Sequence, residues 1–454
     1  MSLRFSCALL AGKLTAGIIR LIDKERGTRL PGVVALKLDP DLLRHIKGVE
    51  RDKTIFVTGT NGKSTTTNLI AHTLSSAGRR VVCNMEGANL ETGVATALLK
   101  QTTWGGRLRG EILLLETDER FLPIISRKLP AGHLVVTNIQ KDQVQRNGEP
   151  ELILNKLRTV VDKQTTLYVN NDDPNSGALA PLAGRVVRYG VEPHSRSFTK
   201  EGDFFAVTQP CPVCGAPIRF KSYNIDNIGP FHCSACDYAS AEHPDHLAAQ
   251  VDLEACRFSV DGEEYSFTYS TPYFLYCYIA AVAVCRSFGL TAAEISPAFA
   301  SFTLPGGRLE DVRAGGHTIR YLRMKQENPE TVQSAIDVIA ADKSEKILLL
   351  GLDELVDFDP HYTNTFYTYD CDFSRLIESG VDHYICFSGT VAYDAALRLL
   401  YAGVPEEKIT VLPTNDDATI VSELNKHECA NVYLITWLHK YEHLAAYAKK
   451  HAEA

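Results

Sequence analysis

The 454-residue sequence has no apolar run that approaches the ~18 residues a membrane-spanning helix requires. No secretory leader is expected: the patch Phe5-Ser6-Cys7-Ala8-Leu9-Leu10 is short and meets Lys13 without a small-residue cleavage pattern. A cytoplasmic protein with no membrane span is therefore expected. Lysine and arginine are in deficit, 47 against 55 aspartate and glutamate, for a net charge of -8. That balance argues against nucleic acid as a partner, which would need a basic face. A disulfide framework is missing too. Of the twelve cysteines, Cys7, Cys83, Cys256, Cys277, Cys285, Cys371, Cys386 and Cys429 stand singly in apolar or mixed stretches and read as reduced core residues. What remains, 45% hydrophobic and 22% charged, is an ordinary globular composition in a chain long enough for about two or three domains.

The stretch with chemistry in it is Thr54-Ile55-Phe56-Val57-Thr58 followed by Gly59-Thr60-Asn61-Gly62-Lys63-Ser64-Thr65. A β-branched run predicts a buried strand, and glycines let backbone N–H groups approach an anion. The helix that follows adds the partial positive charge of its N-terminus. Lys63 is placed to reach terminal phosphates and Ser64 to ligate magnesium. Only Thr60 and Asn61 separate Gly59 from Gly62, so the usual four-residue spacing of a P-loop is absent.

From there the pattern alternates strand and helix. A helix from Lys63 to about Ser76 is closed by Gly78; strands are expected at 80–83, 111–116, 133–136 and 167–170, the rhythm of a parallel sheet. The strand at 111–116 ends in Glu116, Asp118 and Glu119. A carboxylate at the C-terminal end of a strand beside a phosphate loop suits a magnesium ligand, and Glu116 is the candidate. Asn138, at the end of the next strand, is read as an adenine or phosphate contact, or as a turn former. Residues 1–50 hold Leu10, Leu14, Ile18 and Leu21 at helical spacing and are expected to form a helical lead-in packed on the nucleotide domain. The run 271–285 reads as a buried helix. Beyond Gly315-Gly316 a second strand–helix alternation reads as a separate Rossmann-like α/β domain. The expected divisions are 1–50, 51–314 and 315–454.

Cys211-Pro212-Val213-Cys214 and Cys233-Ser234-Ala235-Cys236 are two pairs at the spacing with which two thiolates share one tetrahedral zinc. Four thiolates leave no open coordination position, so a structural zinc ribbon inserted at 199–246 is expected.

Gly-Thr-Asn-Gly-Lys-Ser-Thr resembles the phosphate loop of the Mur ligase and folylpolyglutamate synthase superfamily. Glu86-Gly87-Ala88-Asn89-Leu90, Leu115-Glu116-Thr117-Asp118-Glu119, Thr137-Asn138-Ile139 and Asn170-Asn171-Asp172-Asp173-Pro174 come in the order of a Mur ligase central domain. Gly307-Arg308-Leu309-Glu310 resembles the Gly-Arg-x-Glu closure of such domains. The resemblance implies that Arg308 reaches the nucleotide phosphates; the other reading is a surface Arg paired with Glu310. Asp142-Gln143-Val144-Gln145-Arg146-Asn147-Gly148-Glu149, the four-cysteine ribbon and Ser388 to Gly403 are similar, more narrowly, to the MurT family of synthetase subunits. The implied fold is an α/β Mur ligase central domain with a mostly parallel sheet and an inserted four-cysteine zinc ribbon, plus the Rossmann-like C-terminal domain.

The implied activity is ATP- and Mg2+-dependent amidation of the D-glutamate carboxylate of lipid II through an acyl phosphate. The ammonia would come from a GatD-like glutamine amidotransferase partner, since no convincing nucleophilic Cys–His pair is present in this chain. One stretch departs from the family: where it has an Asp thought to orient the partner's catalytic His, this chain has Asn364. Three readings are open: Asn364 takes that role, as an Asn does in Cys–His–Asn hydrolases; Asp353, Asp357 or Asp359 does; or Asn364 only forms a turn in a diverged paralogue with altered coupling. The alternatives are a Mur-type ligase joining an amino acid to another acceptor and a nucleotide-binding scaffold for an amidotransferase.

Overall fold

The computed structural model describes residues 2–22, 29–84, 89–142, 149–199, 209–225, 227–303, 309–314, 316–322, 324, 328–353 and 369–451. The chain divides into two compact units, Met1–Gln140 with Asn147–Thr303, and Lys141–Arg146 with Leu304–Ala454.

In the first unit the apolar runs become strands β1 (Thr54–Thr58), β2 (Val81–Cys83), β3 (Ile112–Glu116), β4 (His133–Val136), β5 (Thr166–Asn170) and β6 (Arg185–Val191). A two-stranded ribbon, β7 (Ile218–Phe220) and β8 (Phe231–Cys233), precedes β9 (His246–Asp252), β10 (Arg257–Val260) and β11 (Glu263–Ser266). Apart from the ribbon these form one sheet in the order β11-β10-β9-β6-β5-β4-β1-β3-β2. It is parallel from β2 to β9. Parallel strands are covered on both faces, which is why β1 and β3 are buried at every position. The chain leaves β1 toward β2 on one side and later returns to β4 on the other. The C-terminal end of β1 is therefore the switch point where ligands of open α/β sheets bind.

The antiparallel strands β9 to β11 had no counterpart among the expected elements. Their signal is short: Asp261 (φ 53) and Gly262 (φ 80) take left-handed conformations between Val260 and Glu263, forming the tight hairpin that an Asp-Gly pair favours. The helix Pro272–Ser287 is buried from Phe274 to Cys285 and packs on the helix Lys63–Ser76 that follows β1.

The helix Leu3–Ile22 packs against the helices Leu30–Leu38 and Glu91–Lys100, so the lead-in is part of the first unit. Its buried side is Phe5, Ala8 and Leu9, however; Leu10, Leu14 and Ile18 face outward. Both sides of this helix are apolar, and periodicity cannot say which one meets the core. Cys7 likewise lies on the exposed side, unlike the buried Cys83, Cys277, Cys285, Cys371 and Cys386.

The second unit carries β12 (Leu309–Ala314), β13 (His317–Leu322), β14 (Lys346–Gly351), β15 (Val381–Phe387), β16 (Ile409–Leu412) and β17 (Asn431–Thr436), in the order β12-β13-β17-β14-β15-β16. Only β12 runs antiparallel. Because β12 pairs with β13, the first unit ends at Thr303 and not at 314 as expected; the pairing draws the strand before Gly315-Gly316 into the second sheet. The helix Pro329–Ala341 is capped by Asn328, whose Oδ1 accepts from Thr331 N at 3.2 Å while Nδ2 donates to Asp142 Oδ1 at 3.0 Å.

A buried polar network ties the ribbon segment to the rest of the first unit. Asp172 Oδ2 accepts from Tyr276 Oη at 2.8 Å and from Val191 N at 3.0 Å, and Asn224 Nδ2 donates to Tyr276 Oη at 3.0 Å and to Val191 O at 2.8 Å. Burial pushes Asp172 up to about 6, against the Val191 and Tyr276 donors that favour its charge. An acid whose folded pKa lies above its unfolded value contributes stability that is full below the unfolded pKa, 3.8, and lost as pH rises through about 6. Asp172→Asn keeps an acceptor oxygen for both donors and carries no charge. Relative to the native chain it should gain on the order of 3 kcal/mol in urea unfolding between about pH 4 and about pH 8; a constant difference would show that Asp172 titrates normally.

Candidate functional site

The turn after β1 is shaped by what stands beside it. Gly59 has φ +127, and a Cβ there would lie 2.2 Å from Thr137 Oγ1 and 2.8 Å from Asn138 O. Only glycine fits. Thr60 N donates to Asn138 O at 2.8 Å, Asn61 N to Asn138 Oδ1 at 3.0 Å, and Thr137 Oγ1 to Asn61 O at 2.6 Å. Asn138 Nδ2 returns a bond to Asn61 O at 3.1 Å. Both ends of the Asn138 amide thus hold the backbone of Asn61, which makes Asn138 a support of the loop. Gln140 adds a further clasp, its N donating to Thr60 Oγ1 at 2.9 Å.

Gly62, at φ +81, ends the turn, and the helix Lys63–Ser76 starts at the next residue with Ser64 exposed and Thr65 buried. A side chain on Gly62 would press on Cys277 Sγ at 3.2 Å and Tyr273 Cε1 at 3.8 Å, contacts contributed by the helix Pro272–Ser287. Lys63 Nζ donates to Gly59 O, to Thr60 O at 3.0 Å and to Glu119 Oε1 at 3.1 Å. Glu119, of the acidic cluster that follows β3, thus meets the lysine. Burial raises its pKa and Lys63 opposes the rise. Asp118 goes the other way: burial pushes it up, but two hydrogen bonds from Arg120, at 2.9 and 2.7 Å, hold it below the usual carboxylate range.

Glu116 lies at the end of β3 opposite Val57 of β1 and is buried. Its backbone is held by Asn84, with N–H to Asn84 Oδ1 and Asn84 Nδ2 to Glu116 O both at 2.8 Å, and Asn89 Nδ2 reaches Oε1 at 3.4 Å. The fold thus gathers Gly59 to Thr65, Glu116 and Asn138 in one place. The expected phosphate contact Arg308 and the expected triad residue Asn364, like Asp357 and Asp359, lie outside the described residues. Asp353 is in the second unit, past the C-terminal end of β14, and its carboxylate accepts from Ser388 Oγ at 3.0 Å, Thr390 Oγ1 at 2.9 Å and Asn415 Nδ2.

The four sulfurs of Cys211, Cys214, Cys233 and Cys236 lie within 4.8 Å of one another, with Cys211 to Cys236 at 3.9 Å and Cys214 to Cys233 at 3.5 Å. Sulfurs ~2.3 Å from a shared tetrahedral ion stand about 3.8 Å apart, so the group fits one metal ion. Gly215 (φ +79) makes the first knuckle, and Ala235 N donates to Cys233 Sγ at 3.4 Å.

A Gly-Lys-Ser loop at the switch point of a parallel sheet is followed by a second α/β unit, and the chain has the fold of the Mur ligases. The Mur ligase middle domain matches residues 57–225. The pseudomurein peptide ligase type C from Methanothermus fervidus has a similar fold, with a TM-score of 0.63 over 90% of this chain and 80% of that one at 17% identity. Within the class the chain is MurT-like, for the MurT ligase C-terminal domain matches residues 326–439. It is 29% identical over 398 residues to the lipid II isoglutaminyl synthase (glutamine-hydrolyzing) subunit MurT of Staphylococcus aureus (strain COL), covering 87% of this chain and 88% of that one. To the subunit of the same name from Streptococcus pneumoniae (strain ATCC BAA-255 / R6) it is 27% identical over 442 residues, covering 96% and 95%.

The geometry at Gly59 makes it far less replaceable than Gly78, which has φ +79 but open space around its Cα. Gly78→Ala should cost about 1 kcal/mol for the left-handed conformation alone, and Gly59→Ala at least about 2 kcal/mol more, as read by urea unfolding. Equal costs would mean that the loop yields around Gly59.

Proposed function

We propose that this chain is the ATP-dependent synthetase subunit of an amide ligase acting on the D-glutamate carboxylate of the lipid II stem peptide. The observation that carries the reading is the phosphate loop, with Lys63 at the helix N-terminus, in a chain whose second unit matches the MurT C-terminal domain. The N–H groups at the start of Lys63–Ser76 and the Lys63 ammonium would hold the phosphates of ATP, Lys63 leaving its Gly59, Thr60 and Glu119 partners to do so. Ser64 and Glu116 would hold Mg2+, which when bound neutralises the charge on the transferred phosphoryl group. Arg308 is proposed for the same phosphates.

The substrate carboxylate takes the γ-phosphoryl group with release of ADP. Ammonia then attacks the acyl carbon, the C–O bond to phosphate breaks, and amide and phosphate leave. A glutaminase of GatD type would supply the ammonia. Its docking surface in this reading is the exposed apolar face of the helix Ala392–Tyr401, where Tyr393, Leu397, Leu400 and Tyr401 repeat at helical spacing. Asn364, or Asp353 with its Ser388, Thr390 and Asn415 partners, would orient the glutaminase His. The four-cysteine group is proposed to hold a structural zinc.

The isolated chain should amidate lipid II with ammonium and ATP, use glutamine only when the glutaminase subunit is added, and lose at least about 100-fold in kcat/KM on Lys63→Met. Turnover with glutamine by the chain alone would overturn the reading. Elemental analysis should find one zinc per chain, and Cys233→Ser should weaken zinc retention against a chelator by at least about 100-fold; a metal-free native chain would remove the zinc.

A further inference from the structure

The helix Leu3–Ile22 turns an apolar stripe to the outside. Leu3, Leu10, Leu14 and Ile18 are 82%, 50%, 54% and 57% exposed, and at 3.6 residues per turn they share one side of the helix. Trp104 is 63% exposed and stands next to this helix: Lys13 Nζ lies 5.6 Å from its ring, and the same ammonium donates to Leu99 O at 2.5 Å and Thr102 O at 2.7 Å. The position of the 104–106 turn is set by Gly106 (φ +72), where a Cβ would meet Phe5 at 2.6 Å. Trp104 is therefore held beside Lys13, on a flank of the stripe, by its own loop.

Charge says what this face meets. The chain as a whole is acidic, yet neither Leu3–Ile22, nor Leu30–Leu38, nor residues 101–110 contains a single Asp or Glu, while they hold Arg4, Lys13, Arg20, Lys37, Arg107 and Arg109. On the helical projection Lys13 and Arg20 flank the stripe on one side and Arg4 on the other. The acids that adjoin these stretches in sequence stand among bases or are paired: Asp23 and Glu25 alternate with Lys24 and Arg26, Asp39 meets His45 at 2.8 Å, Asp41 meets Arg44 at 3.6 Å and Glu111 meets Arg79 at 3.8 Å. A protein partner or a second copy would be matched by mixed charge around an apolar centre. A border in which bases outnumber acids, with an exposed tryptophan, matches an anionic lipid surface.

We infer that the helix Leu3–Ile22 and the Trp104 loop form a docking surface for anionic phospholipid bilayers, with the helix lying in the headgroup region. No helix among the described residues is long and apolar enough to cross a membrane, so this is attachment to one face. The inference is independent of the reaction proposed above, because it needs no substrate to be tested.

The full chain is mixed with extruded vesicles of phosphatidylcholine containing an equal share of phosphatidylglycerol, or of phosphatidylcholine alone, and sedimented. Binding to the anionic vesicles should be at least about tenfold tighter and should fall steeply with added salt. L10S/L14S/I18S should lower binding at least about tenfold with unchanged circular dichroism and Tm, since the three side chains are outside the core. R20E/R107E, which leaves the stripe intact, should lose the preference for anionic vesicles. Equal binding to both vesicles, native-level binding by the triple variant, or a solution dimer that the triple variant converts to monomer without vesicle binding by the native chain would each overturn the inference.

Discussion

The candidate site depends on one exchange of hydrogen bonds, between the amide of Asn138 and the backbone of Asn61. A phosphate loop must present its N–H groups outward, so its own carbonyls need partners behind it. Here the end of β4 provides them: Asn138 both accepts from and donates to Asn61, and Thr137 adds a hydroxyl to the same carbonyl. The absence of a side chain at Gly59 lets β4 come this near. Each neutral bond is worth only about 1 kcal/mol net, but leaving the buried groups unpaired would cost about 1–3 kcal/mol each. The shape of the loop is thus held before any anion arrives.

A second layer of buried polar groups does the same for the surroundings of the site. Asp173 accepts from Ile139 N at 2.9 Å and Gln140 Nε2 at 3.0 Å, which ties the segment after β5 to the segment after β4. Its neighbour Asp172 turns the opposite way, into Tyr276, Val191 and, through Tyr276, Asn224 of the ribbon segment. Two adjacent carboxylates, both pushed up to about 6 by burial, thereby connect the loop, the ribbon and the buried helix Pro272–Ser287. In the second unit the fully buried Arg398 has a comparable role. Its guanidinium donates to Cys371 O and lies 5.4 Å from the Phe373 ring, fixing the start of the segment that leads into β15.

Sequence reading worked where chemistry is concentrated in neighbouring residues. Gly59 to Thr65 and the two Cys-x-x-Cys pairs each constrain a few consecutive backbone positions, and the structure assembles both. The parallel strands β1 to β5 were equally legible, because burial on both faces demands unbroken apolar runs such as Leu113-Leu114-Leu115, whereas the parallel β6, interrupted by Arg185 and Arg188, was not among those expected. The strands β9 to β11 were not: they are half-buried, with Phe258, Val260 and Tyr265 inward among polar neighbours, and only Asp261-Gly262 marks the turn. Strand β12 escaped for a related reason, since Gly315-Gly316 reads as a boundary while the strands on either side of it pair with each other.

What the sequence by itself determined is the set of local devices: a phosphate loop, a thiolate cluster, a parallel-sheet rhythm and a family resemblance running along the chain. Only the tertiary structure decided that Asn138 supports the loop, that Glu119 meets Lys63, and that Leu10, Leu14 and Ile18 look outward while Phe5 and Leu9 look in. The reason is physical. A motif is a property of adjacent residues, whereas a partner, or the buried side of a helix with two apolar sides, is set by contacts with residues far away in the chain.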